Sequence, residues 1–184
     1  MNMVNFHYKE NFFDASTKAI DVYDDKEAPQ YSLSLYYTSE RQKTFAYLGR
    51  QKHNFKIEGG YAGYATKQEK SFEGKFKTPF RTVWSVMKDG GVIGEFTTKM
   101  ALRPKMVFEG NDGESLLFQS GFFSRSVTVT DRGGREIMTT KSEFFKLASR
   151  HDLEITDDSL DPALLILLFQ VFYEYQEHMR KKSN

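Results

Sequence analysis

The stretch DPALLILLFQVFYEYQEHMRKK, Asp161 to Lys182, is the most hydrophobic segment of the chain and restricts the fold more than any other. Asp161 is a residue type that caps helices, and Pro162 suits a first helical turn, where its missing N–H would have no partner anyway. Asp157, Asp158 and Asp161 stand beside the positive end of such a helix, and Arg180, Lys181 and Lys182 at the negative end. Between them Ala163 to Tyr173 is apolar except for Gln170. That run falls short of the roughly 20 apolar residues needed to cross a bilayer core. It is apolar on every side, unlike a helix that rests one face on a core. A short helix of this kind needs to be enclosed by protein. A β-barrel wrapped around it satisfies the need best; a helix on an open sandwich and a membrane anchor are the other two arrangements.

The rest of the chain supplies the strands. Aromatic residues make up 15% of it, and they favour strands and fill wide cores. Strands are predicted at YSLSLYY (Tyr31–Tyr37), KTFAYLG (Lys43–Gly49), SFEGKFK (Ser71–Lys77), TVWSVM (Thr82–Met87) and VIGEFTTK (Val92–Lys99). The series continues at KMVFEG (Lys105–Gly110), ESLLFQS (Glu114–Ser120), RSVTVTD (Arg125–Asp131), REIMTT (Arg135–Thr140) and HDLEIT (His151–Thr156). Asp89-Gly90-Gly91, Asn111-Asp112-Gly113 and Asp131-Arg132-Gly133-Gly134 punctuate it as hairpin turns. Residues 1–30 are expected to add a strand and a mobile acidic loop around Asp24-Asp25-Lys26-Glu27. The hairpins recur irregularly, which excludes a solenoid and fits a meander that closes on itself. No Pro/Ser-rich linker divides the chain. The reading is one domain over 1–184: strands and hairpins over 1–156, and a central helix over 157–182. The fold class is mainly β, a closed antiparallel β-barrel around a hydrophobic C-terminal α-helix.

WSVMKDGGVIGEF, VTVTDRGGREI, FFKLASRHDLEI and the closing helix, in that order, span roughly Thr82 to His178. Together they resemble the tubby C-terminal-like superfamily, which includes LURP-one-related proteins and phospholipid scramblases. The resemblance implies a barrel of about twelve strands with the hydrophobic helix through its middle. In that family tubby proteins bind phosphoinositide headgroups through basic barrel residues, scramblases are tied to lipid movement and calcium, and LURP-one-related proteins have no settled activity. The chain has no cysteine, hence no cysteine-rich palmitoylation segment, which weighs against a scramblase role.

Net charge is only +1, but it is unevenly spread. Over residues 41–81 ten Lys and Arg stand against Glu58, Glu69 and Glu73, while residues 1–40 carry seven acids against Lys9, Lys18 and Lys26. In SFEGKFK strand alternation puts Phe72 and Phe76 on one face and Lys75 and Lys77 on the other. Lys67, Lys70, Lys75, Lys77 and Arg81 are therefore the candidate site for an anionic headgroup. The bland reading of the same residues is solvated hairpin faces, balanced in space by the acidic segments. Nucleic acid is disfavoured, because the aromatics alternate inward rather than forming a stacking platform.

Catalytic and metal signatures are missing from the sequence. There is no G-x-S-x-G, P-loop or dinucleotide glycine fingerprint, and His7, His53, His151 and His178 do not share ligand spacing. His151 reads as a strand-end residue and Trp84 as core. EGNDGE (Glu109–Glu114) and DDSLD (Asp157–Asp161) cluster oxygen donors for a hard cation, but neither has calcium-loop spacing; a turn explains the first and helix capping the second. The expectation is a non-enzymatic binding protein with no cofactor and no metal. Its partner is an anionic phospholipid surface or an unidentified protein, the latter making it a scaffold; an enzyme assembled only in three dimensions is the third reading. The start, MNMVNFHYKENFF, has neither a basic n-region nor a long apolar run, so no secretory signal is expected. Absence of cysteine fits a reducing compartment. The expected location is cytoplasmic, peripheral at a membrane.

Overall fold

A computed structural model of the chain describes residues 3–11, 16–47, 54–69, 81–121, 125–144 and 148–183. Among them twelve strands form one closed barrel: β1 (Val4–Lys9), β2 (Ile20–Asp24), β3 (Pro29–Tyr36), β4 (Asn54–Glu58), β5 (Tyr64–Gln68) and β6 (Val83–Lys88), then β7 (Gly91–Thr98), β8 (Lys105–Gly110), β9 (Ser115–Ser120), β10 (Val127–Asp131), β11 (Glu136–Phe144) and β12 (Ser149–Ile155). Each strand pairs antiparallel with its neighbours in sequence, and β1 closes the ring on β12 over Val4↔Ile155 to Lys9↔Arg150. Two helices complete the set, α1 (Glu40–Tyr47) and α2 (Pro162–Ser183).

A barrel of eight strands can be filled by its own side chains, and diameter grows with strand number. Twelve strands leave a lumen that needs another filler, and α2 occupies it. Every residue from Ala163 to Tyr173 is buried, including six consecutive residues, Leu164 to Phe169, at 7% exposure or less. Rings and hydroxyls from opposite walls reach the helix. Phe118 of β9 lies 6.1 Å from Phe172, His151 of β12 lies 5.3 Å from Phe169, and Tyr64 of β5 donates to the Asp161 carboxylate at 2.9 Å. Asp161 caps the helix as the sequence implies: its Oδ1 accepts the Ala163 N–H at 3.0 Å, and its carbonyl accepts those of Leu164 and Leu165. The walls contribute alternating residues, such as Trp84 and Val86 of β6 and Met106 and Phe108 of β8. Among the described residues no helix is long and apolar enough to cross a membrane.

Most of the predicted strands from Thr82 onward recur within a few residues of their expected limits. The two-residue β6–β7 turn has positive φ at both Asp89 (47°) and Gly90 (86°), the geometry for which Asp-Gly is suited. Three readings are corrected. KTFAYLG is not a strand, because its first part is the end of α1. Ser39 starts that helix by accepting the Gln42 N–H at 3.2 Å, and Gln42 Oε1 accepts the N–H and hydroxyl of Thr38 at 2.7 and 2.9 Å, a variant of the capping box. Residues 1–30 hold two complete strands rather than one. Their acidic loop is a bonded turn: Asp24 accepts the N–H groups of Lys26 and Ala28 and the Gln30 amide, all at 2.9 Å. Finally, β4 and β5 were not expected as strands; the predicted SFEGKFK strand lies outside the described residues.

Candidate functional site: the basic end of the barrel

In a meander successive connections alternate between the two ends of the barrel. The connections β1–β2, β3–β4, β5–β6, β7–β8, β9–β10 and β11–β12 share one end. The remaining connections and the β12–α2 segment share the other. Helix α2 enters from the second end, where Asp161 meets Tyr64, and leaves by the first, where the Tyr173 hydroxyl lies 2.8 Å from Ser149 Oγ.

This alternation sorts the charges. In the described connections of the first end, Lys18, Arg41, Lys43, Arg81, Lys99, Arg103 and Arg125 stand against Glu10, Glu40 and Glu69. On the part of α2 that emerges there, Arg180 pairs with Glu177, and Glu174 is a further acid. In the connections of the second end, Asp25, Glu27, Asp89, Asp112, Glu114, Asp157, Asp158 and Asp161 stand against Lys26, Arg132 and Arg135. One end is basic and the other acidic.

Lys67 and Arg81 belong to the basic half. Lys67 is exposed on the outer face of β5, opposite Ser85 of β6, and Arg81 is exposed just before β6. Glu69 beside them accepts the Ser85 hydroxyl at 2.5 Å. Lys70, Lys75 and Lys77 lie outside the described residues. Reading residues 41–81 as the basic segment missed Lys99, Arg103 and Arg125, which reach the same end through later connections. The signal available for them was the parity of the hairpins.

The lumen at the basic end is sealed by a polar cluster built on Gln170, the one polar break in the apolar run. Its Oε1 accepts the Tyr8 hydroxyl at 2.5 Å, and its Nε2 donates to Glu10 at 2.8 Å and to Glu174 at 3.3 Å. Burial, reinforced by the Glu10 and Glu174 carboxylates, pushes the Tyr8 phenol well above its ordinary value. Tyr173 is pushed up to about 12, chiefly by burial. His151 is not a strand-end residue but a lumen residue with no exposure, between the rings of Tyr8 (4.9 Å) and Tyr173 (4.4 Å). Its Nδ1 bonds Ser142 Oγ at 2.8 Å, whereas Nε2 lies 3.6 Å from Glu10 and has no hydrogen-bond partner.

At the acidic end the two oxygen-rich loops face each other across a groove lined by Asp112, Glu114, Asp131, Arg135, Asp157 and Ser159. A guanidinium stands where a cation would. Arg135 donates from Nε to Asp131 at 3.0 Å and pairs through Nη2 with Asp157. Asp131 is held below the usual carboxylate range first by the Arg135 backbone N–H, and Asp157 first by the Ser159 hydroxyl. Among the described residues no group of three or more His, Cys, Asp or Glu could hold a metal ion.

No curated protein and no solved structure matches the chain. A family model does: the Tubby C-terminal like domain aligns with residues 6–175, from the first buried residue of β1 through the apolar turns of α2. The closed twelve-stranded barrel, its helix-filled lumen and this alignment agree, and the chain belongs to the Tubby C-terminal like domain family, which is characteristically non-enzymatic.

Proposed function

We propose that this protein is a non-enzymatic binding module that docks the basic end of its barrel on an anionic phospholipid surface. The observation that carries the reading is the segregation of charge between the two ends, which presents a cation-rich end to a flat negative surface and turns most of the acids of the connections away from it. Each cation held near such a surface contributes about 1 kcal/mol, so several exposed cations acting together suffice for reversible attachment. Lys67 and Arg81 are proposed as part of the contact, with Lys70, Lys75 and Lys77 from the sequence expectation. The location that follows is peripheral, on the cytoplasmic face of a membrane.

The test is co-sedimentation with phosphatidylcholine vesicles, with and without phosphatidylserine, over a salt series. Binding is expected only with the anionic lipid and should fade as salt shortens the screening length below about 8 Å. Lys67→Glu with Arg81→Glu, and separately Lys75→Glu with Lys77→Glu, should each weaken it with little change in Tm, since exposed charges contribute little to stability. No binding to anionic vesicles at low salt would remove the reading and leave a protein-presenting scaffold in its place.

A further inference from the structure

Among the described residues the large apolar side chains left exposed fall into two groups. Met3, Val4, Tyr61 and Val92 belong to the acidic end. Met100, at 88% exposure, and Leu102, at 104%, sit in the β7–β8 connection at the basic end, and Met179, at 41%, is on the part of α2 that emerges there. A single exposed Leu needs no explanation. Met100 and Leu102 differ from the rest in their setting. The local sequence is Lys99-Met100-Ala101-Leu102-Arg103-Pro104-Lys105, so cations bracket the apolar pair on both sides.

The base of this connection is fixed. The Lys99 N–H donates to the Lys105 carbonyl at 2.8 Å, the Thr98 N–H to Thr82 at 3.0 Å, and the Ser120 N–H to Pro104 at 3.4 Å. These bonds tie it to the connections on either side, one of which carries Arg81 and the other Arg125. Its apolar tip therefore projects from a rigid foot with cations beside it. Nothing in the described residues covers Met100 or Leu102, and the fold does not need them in its core. Apolar side chains ringed by cations match a bilayer interface, where acyl chains lie just beneath anionic phosphates.

We propose that the β7–β8 connection is a membrane wedge: Met100 and Leu102 enter the acyl region of an anionic bilayer while Lys99, Arg103 and Lys105 stay at the phosphate level. The wedge rests on the docking reading above and adds to it a depth and an orientation, with the barrel axis steep to the membrane and the acidic end outward. It also makes binding partly resistant to salt, because insertion of apolar groups is not screened.

Trp84, the only tryptophan, is buried at 4% exposure, so a tryptophan introduced at the surface reports on its own surroundings. Leu102→Trp is mixed with phosphatidylcholine–phosphatidylserine vesicles carrying brominated acyl chains, with Tyr61→Trp at the acidic end as the control. Blue-shifted emission and quenching are expected for the L102W variant and neither for the control. In the otherwise unaltered chain, Met100→Ser with Leu102→Ser should weaken vesicle binding by on the order of tenfold to a hundredfold, from the loss of two inserted side chains, with Tm unchanged. If the parent binds and this double variant binds equally, or the indole of the L102W variant is not quenched, the wedge is wrong and surface docking survives. Should the parent not bind, both fall. Self-association in sedimentation that the double variant abolishes, without vesicle binding, would assign the loop to a second copy of the chain and overturn the proposal.

Discussion

Enclosure of α2 makes a prediction that a one-sided helix cannot meet. Successive helical residues point about 100° apart, so four in a row sample every side. On a helix laid against a sheet at least one of four consecutive residues faces solvent, and its truncation costs little. Here Leu165, Ile166, Leu167 and Leu168 are all at 0% exposure. Replacing each singly by Ala removes three buried carbons at about 0.8 kcal/mol each, and the cavity term adds to that, giving about 2–5 kcal/mol per site. Against a total stability of roughly 5–15 kcal/mol, the largest of these could abolish folding. Ile166→Val is the gentler probe, at about 0.5–1.5 kcal/mol. The assay is urea unfolding followed by circular dichroism, with the change read from midpoints at constant slope. All four alanine variants should be strongly destabilised. A cost below about 0.5 kcal/mol at any one would mean that this side of the helix is open and that the barrel does not surround it.

Gln170→Ala should cost about 1–3 kcal/mol in the same assay, because Tyr8 loses its acceptor and Glu10 a donor inside the lumen; an unchanged midpoint would show that water replaces the amide at no cost. Gly94→Ala should destabilise, since a Cβ there would stand 2.4 Å from the Glu109 carbonyl oxygen and 2.9 Å from Gly110 Cα, both backbone; a neutral result would mean that β7 and β8 can move apart. Stability should fall at both pH extremes. Asp24, Asp131 and Asp157 are depressed in the folded state, so their contribution is present above the unfolded value of about 3.9 and is lost as pH falls through the lower folded values. Tyr8, Tyr64 and Tyr173 are raised, so theirs is complete below about pH 10 and is lost as pH rises toward the folded values. Urea midpoints that stay flat from about pH 2 to 11 would contradict both directions.

The part of the fold most legible in sequence was the part with the fewest alternatives. An apolar run of helix length with an Asp-Pro start and a basic end could be stable only inside something. From β6 onward every second connection was an Asp/Gly turn, so the hairpins joined by those turns were nearly forced. Other regions carried competing signals. Phe45 and Tyr47 alternate as a strand would, but Ser39 and Gln42 form a helix cap, and the local bonds won. In β4, Phe55 and Ile57 do alternate inward, but the pattern is only two residues long, and the intervening Lys56 pairs on the surface with Glu58 at 3.1 Å. In β5 only Tyr64 and Thr66 face the lumen, which is too short a pattern to stand alone. The meaning of Gln170 was invisible, because Tyr8 and Glu10 are about 160 positions away.

The candidate site was legible only in its sign. A run of cations along the chain is not a patch, since a strand carries the chain from one end of the barrel to the other. What decides the end is parity, whether a residue follows an odd or an even strand, and parity needs every strand counted, including the three that were missed. Once the ring is closed, the near-neutral total is no guide to how the protein meets a surface. A strand of six residues, as in β6, is about 20 Å long at roughly 3.3 Å per residue. That exceeds the ~8 Å screening length at physiological ionic strength. An anionic surface approaching the basic end therefore meets those cations with little cancellation from the acids at the far end. Deleting one hairpin keeps the parity of every later connection, whereas deleting a single strand would exchange the ends of all that follow. The charge pattern is thus tied to an even strand count, and the same count lets an up-and-down antiparallel barrel close with β1 against β12.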